Sequence, residues 1–127
     1  MAITTEPVPR KAYPKSARLL KHADFEAVYK RGLRHFSQHF TVFFLARQTA
    51  STPRIGLTVS KALGGAVVRN RMKRRLREAV RQNLAALKRP VDVVFNPKKS
   101  ALVAEFTQLQ LEVAKAFEVV NRKTDKI

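Results

Sequence analysis

The chain has 127 residues, with 26 Lys and Arg against nine Asp and Glu, a formal net charge of +17 and a pI near 11.4. Its 45% hydrophobic content with eight Phe is too apolar for a disordered basic tail, and the length suits one domain with a real core. The lack of Cys excludes a disulfide framework and a thiolate metal site, and no 18-residue apolar run or signal-peptide core is present, so the cytosol is the expected compartment.

Residues 1–15 carry Pro7, Pro9 and Pro14 and predict an extended, flexible basic arm. Arg10, Lys11, Lys15 and, just beyond, Arg18 either track phosphates or carry ordinary terminal charge. The single domain is expected over residues 16–121, with 122–127 a polar tail. Residues 22–31 (HADFEAVYKR) predict a short helix closed by Gly32 at C′, with Lys30 and Arg31 suiting its negative end. Phe25, Val28 and Tyr29 stand at i, i+3, i+4 and read first as a packing face, with a nucleobase platform as the alternative.

Residues 36–47 (FSQHFTVFFLAR) predict one or two strands. Phe40, Val42 and Phe44 alternate with Thr41, Phe43 and Leu45, so neither face is simply solvated. A loop over 48–53 leads to a strand from Arg54 to Ser60, expected to form an antiparallel hairpin with the preceding one. The turn Lys61 to Ala66 contains Gly64-Gly65, which supply backbone freedom and fit neither phosphate-loop pattern.

The next stretch dominates the chain. In Arg69-Asn70-Arg71-Met72-Lys73-Arg74-Arg75-Leu76-Arg77, six of nine side chains are cationic and five are Arg. Met72, Leu76, Val80, Leu84 and Leu87, with Ala79, make a buried helical stripe, while Asn70, Arg74, Arg77 and Arg81 follow i, i+4, i+7, i+11 on another face. The like-charge pairs Lys73–Arg77 and Arg77–Arg81 each cost about 0.2–0.5 kcal/mol. Only Glu78 is placed to offset them, through Arg74 and Arg81. A face needed for solubility alone would mix in Glu; the Arg fork is matched to phosphate oxygens. The face reads as polyanion-binding.

This helix should end near Lys88-Arg89-Pro90. Val91 to Phe95 predicts a strand parallel to Ile55–Val59 through a βαβ crossover, stopped by Asn96-Pro97-Lys98-Lys99. Residues 100–120 predict a last helix with Leu102, Phe106, Leu109, Val113, Ala116, Phe117 and Val120 buried. Glu105, Glu112 and Glu118 against Lys115 make it the acidic part, set away from an anionic partner. The carboxylates show no converging spacing; His22, His35 and His39 read as solvated or core histidines, and Ser51 and Ser60 lack a readable His–Asp arrangement. No protein metal site and no catalytic side chain are expected.

The run Arg54-x-Gly56-Leu57-Thr58-Val59-Ser60-Lys61, then Gly64-x-Ala66-Val67-x-Arg69-Asn70-Arg71-x-Lys73-Arg74-x-Leu76-Arg77-Glu78, resembles the signature of the bacterial ribonuclease P protein subunit. Arg18-Leu19, Asp24-Phe25, Val28-Tyr29 and Gly32 are similar to that family's N-terminal helix. Ala62, Gly65 and Asn96-Pro97 depart from the usual pattern.

The resemblance implies an α/β (α+β) two-layer sandwich of order αβββαβα with a left-handed βαβ crossover. It implies a ribonucleoprotein in which a partner RNA is the catalyst and mainly holds the Mg2+, while the protein assists removal of the 5′ leader of precursor tRNA. Lys61, Arg69, Asn70, Arg71, Lys73, Arg74, Arg77 and Arg81 would contact the catalytic RNA. Phe25, Tyr29 and Phe43 would line a cleft for the leader, where bases of a single strand stack on rings. Neither a membrane nor an obligate protein partner is implied. A structural RNA-binding protein, or a DNA-binding protein using the same helix in the major groove, are the rival readings; a membrane-surface helix is disfavoured because the apolar stripe is needed for the sheet.

Overall fold

The computed structural model describes residues 17–19, 21–47 and 52–125; the expected N-terminal arm and the loop over 48–51 lie outside them. The elements run α1 (His22–Arg31), β1 (Leu33–Phe36), β2 (Phe40–Ala46), β3 (Arg54–Leu57), α2 (Ala66–Asn83), β4 (Val91–Pro97) and α3 (Phe106–Thr124). The order of helices and strands is the expected αβββαβα. Gly32 does close α1, its N–H bonding to Val28 O at 2.9 Å. Its backbone is nevertheless extended, with φ −81° and ψ 170°. Close approach is what requires glycine: a Cβ there would lie 2.4 Å from Val28 O and 2.6 Å from Phe44 O.

The strands form one sheet of order β1-β2-β4-β3. β1 and β2 make the antiparallel hairpin, with Arg34 opposite Phe43 and Phe36 opposite Thr41. The hairpin expected between β2 and β3 does not form, because β4 lies between them, antiparallel to β2 and parallel to β3. The reason is apolarity: Val91, Val93 and Phe95 are buried on one face of β4 and Val94 on the other, so this strand takes the centre. The parallel β3–β4 pair linked through α2 is as expected. Beyond β3, Arg18 makes a parallel bridge to Ile55 and Leu19 N–H bonds Ile55 O at 2.8 Å, so this sheet edge is covered.

The main core lies between the sheet and the pair α2–α3. Met72, Leu76, Ala79 and Val80 from α2 meet Leu109, Val113, Ala116, Phe117 and Val120 from α3 over Phe40, Val42, Phe44, Val93 and Phe95. Phe95 packs edge-on against both Phe40 and Phe117, with ring centroids 5.2 and 6.0 Å apart. The opposite face carries a smaller cluster, Leu19, Val28 and Val94 with Phe25, Phe43 and Leu45 beside them. That cluster seats α1, so the two-layer sandwich gains a partial third layer.

The last helix differs from the expected 100–120. A 3-10 turn spans Lys99–Leu102, and α3 starts only at Phe106. Between them the Ala104 carbonyl accepts a hydrogen bond from the Arg75 guanidinium of α2 rather than continuing a helix. At the other end α3 runs past Asn121, where a polar tail was expected. Asn121 accepts from Lys88 N–H and donates to Ala86 O, and the buried Thr124 hydroxyl donates to Val120 O.

Candidate nucleic-acid interface

Helix α2 carries seven cationic side chains and one acid. Its inward stripe is used up by the core, so most of its cations lie outside that stripe. Asn70, Lys73, Arg74, Arg77 and Arg81 line one groove of about 700 Å³, together with Glu78 and Arg18. The helical spacing therefore gathers five of the predicted residues as expected. Arg18 completes the groove from the segment paired to β3, and only its place in the sheet, not its position in the sequence, reveals this. Glu78 accepts hydrogen bonds from Arg81 and from Gln82 Nε2, the latter at 3.0 Å. Arg74 and Arg77 are exposed.

The other three predicted contacts stand outside the groove lining. Arg69 is half-buried and folds back, its Nε donating to Gly64 O at 3.2 Å. That bond steadies the turn in which Gly64 has φ +146°, a backbone state that favours glycine. Arg71 is exposed on a neighbouring face of α2, and Lys61 is exposed on the 3-10 turn Lys61–Leu63. Lys61 follows Thr58 by three residues, in the connection from β3 to α2.

On that other face stand the predicted aromatic residues. Val28 is fully buried, whereas Tyr29 is 38% exposed. The α1 trio therefore divides into a core residue, an exposed ring and Phe25, half-buried between them. Tyr29 and Phe43 meet edge-on with centroids 4.9 Å apart. The Tyr29 hydroxyl lies 2.9 Å from both Thr58 Oγ1 and Asn96 Oδ1; having one proton, it donates to the amide oxygen and accepts from the threonine hydroxyl. Phe25 covers Gly56, where a Cβ would lie 2.6 Å from its ring.

Arg34 sits 5.6 Å above the Phe43 ring, and Phe36 on the same face is 68% exposed. Sequence reading missed Arg34, Thr58 and Asn96. Alternation would have aligned Arg34 with Phe43 had β1 been recognised from residue 33.

Several of the acidic residues are committed to neighbours. Arg54 forks onto Asp92 and also approaches Asp24. Glu112 is buried and accepts from Ser37 Oγ at 2.5 Å, His39 N–H at 2.9 Å and Gln108 Nε2 at 3.1 Å. Burial alone would raise its carboxyl, but these hydrogen bonds together hold it below the usual carboxylate range. His39 also reaches Ser100 Oγ at 2.8 Å, so it is a hydrogen-bonded, largely buried histidine.

With Glu112 inside, the outer face of α3 bears Lys115, Arg122 and Lys123 beside Glu118. Glu105 and Glu118 stay exposed, as the acidic reading of residues 100–120 expects, but α3 runs to Thr124 and so also carries Arg122 and Lys123 on its surface. Burial first, and then Lys123, Lys115 and Arg122, lower the His35 pKa. Among the described residues no three His, Cys, Asp or Glu come together as a cation site. The groove's donors suit an anion, and its one acid is already engaged, so the groove as described does not fit a resident Mg2+. No described helix is long and apolar enough to cross a membrane.

Comparison with known proteins agrees with this architecture. The Ribonuclease P family model matches residues 13–121. The ribonuclease P protein component of Geobacter sp. (strain M21) is 40% identical over 111 residues, covering 87% of this chain and 94% of that protein. That of Bacillus velezensis is 38% identical over 110 residues, covering 87% and 90%. The solved structure of the Staphylococcus aureus RNase P protein superposes with a TM-score of 0.72 at 28% identity, covering 84% of this chain and 96% of that one. By a match over most of its length and by relatives aligned over nearly theirs, this chain belongs to the Ribonuclease P protein family.

Proposed function

We propose that this chain is the protein subunit of a tRNA-processing ribonucleoprotein endonuclease, binding the catalytic RNA through α2 and the 5′ leader of precursor tRNA through the aromatic cleft. The observation that carries the reading is the groove lined by Arg18, Asn70, Lys73, Arg74, Arg77 and Arg81. Arg supplies planar forks for phosphate oxygens there, while Lys61, Arg69 and Arg71 extend the cationic surface toward the turn. Across the sheet, Tyr29, Phe43 and Phe25 offer rings on which unpaired bases stack, with Arg34 for the backbone.

The protein's part is binding and orientation. Its cations screen repulsion between two RNAs, and its rings hold the single strand that distinguishes precursor from mature tRNA. Bond cleavage and the Mg2+ are assigned to the RNA. Reconstitution with the catalytic RNA tests this: the complex should release the 5′ leader from precursor tRNA at lower Mg2+ than the RNA alone requires. Co-purification of a different RNA, with no leader removal by the complex, would favour a structural RNA-binding protein.

A further inference from the structure

We infer that Arg54, Asp92 and Asp24 form a positioning clamp that fixes how α1 lies over the sheet, and thereby the spacing of the aromatic cleft; this rests on the leader-binding reading of that cleft. Arg54 and Asp92 are register partners in the parallel β3–β4 pair and share the α1 face. Asp92 is only 4% exposed. Arg54 Nε and Nη2 donate to its two carboxylate oxygens at 2.9 and 2.8 Å, and Arg47 Nη1 lies 3.3 Å from Oδ1. A guanidinium is planar, so a fork seated on a buried carboxylate fixes the direction of its third nitrogen. That nitrogen, Nη1, lies 3.3 Å from Asp24 Oδ2 in the first turn of α1.

The small cluster on this face seats the helix through Val28 and Phe25. Val28 is its one fully buried residue, and the main core on the other face of the sheet contains no residue of α1. Phe25, next to Asp24, rests on Gly56, and Tyr29 is tied by its hydroxyl to Thr58 and Asn96. The Asp24–Arg54 contact thus holds the N-terminal end and the Tyr29 hydroxyl the other. Release at Asp24 lets α1 tilt about Val28 and moves the Phe25 ring relative to Phe43, while the core stays packed.

The test uses protein reconstituted with the catalytic RNA, and compares affinity for leader-bearing precursor tRNA with that for mature tRNA. Asp24→Asn is expected to lose about twofold to tenfold of the precursor preference. Affinity for the catalytic RNA, the thermal midpoint and the single-turnover rate at saturating precursor should hold. Asp24→Glu should restore the preference, and Arg54→Lys, which keeps the charge without the fork, should reproduce the loss. Hydrogen exchange should quicken in α1 and stay slow in β2 and β4. Tyr29→Ala serves as the reference. If it loses the preference while Asp24→Asn and Arg54→Lys keep it, the clamp is wrong and the cleft reading stands. Equal weakening toward both tRNAs makes the contacts purely structural and also overturns the clamp. Should Tyr29→Ala itself keep the preference, the cleft reading falls and the clamp with it.

Discussion

Arg74 and Arg75 are neighbours in sequence with opposite duties. Arg74 is exposed in the groove, whereas Arg75 turns inward to the Ala104 carbonyl. Arg74→Ala is expected to flatten the log–log salt dependence of RNA binding by about 0.7–0.9, one phosphate contact, with stability unchanged. Arg75→Ala should leave that slope alone and cost about 1–3 kcal/mol of stability, since it strands a carbonyl at the α2–α3 junction. Titrations of affinity against salt, paired with urea unfolding, separate the two. At the cleft, Tyr29→Ala should weaken precursor tRNA binding by about 1–3 kcal/mol, the worth of one stacked base, with little change for mature tRNA. Phe25→Ala should act in the same direction, but its ring also packs beneath α1, so part of its loss will appear as lowered stability. Equal losses for both tRNAs in folded variants would return these rings to a packing role.

Helix α3 is fastened to the β1–β2 turn by Glu112, and that fastening depends on pH. A carboxyl lowered in the folded state contributes stability above its unfolded pKa, here taken as 4.5, and the contribution is lost as pH falls through the lower folded value. His35 acts in the same direction: its folded pKa lies below 6.5, so protonation of the unfolded chain draws stability away as pH falls from there. Unfolding midpoints should therefore decline from pH 7 to pH 3, and Glu112→Gln should shrink the acidic limb of that decline; an unaltered limb would exclude this carboxyl as a source.

The elements themselves were largely legible in the sequence. The stripe Met72, Leu76, Ala79 and Val80 gave α2 its buried face because helical period is a local property. What remained hidden was non-local. Nothing in residues 54–60 announces that β4 will come between β3 and β2, or that Glu112 reaches inward to Ser37 and His39. Arg18 joins the groove only through its bridge to Ile55, which no periodicity encodes. Resemblance supplied the cleft, since Phe25 and Val28 share one spacing yet only Val28 is fully buried.

For the whole molecule, the +17 charge on the proposed reading means that the protein works by field and placement. RNA-free protein is expected to leave precursor tRNA intact at any Mg2+ concentration. Changing any one acidic residue to Ala with folding intact should keep the chemical step of the holoenzyme within about tenfold. Cleavage by protein freed of RNA, abolished by one carboxylate change, would reassign the chemistry. The central place of β4 also governs how the chain comes into being. During synthesis β1, β2, β3 and the basic helix are all made before the strand that joins them, and α3 is made later still. Until Val91–Pro97 emerges, β3 has only the short bridge from Arg18 beside it, and the apolar stripe of α2 has only half a floor. Assembly of the sheet is therefore a late, long-range event, slow by the standard of chains dominated by local contacts. In that interval the Arg-rich segment belongs to a chain whose sheet is not yet assembled, the stage at which apolar surface and strand edges stand open.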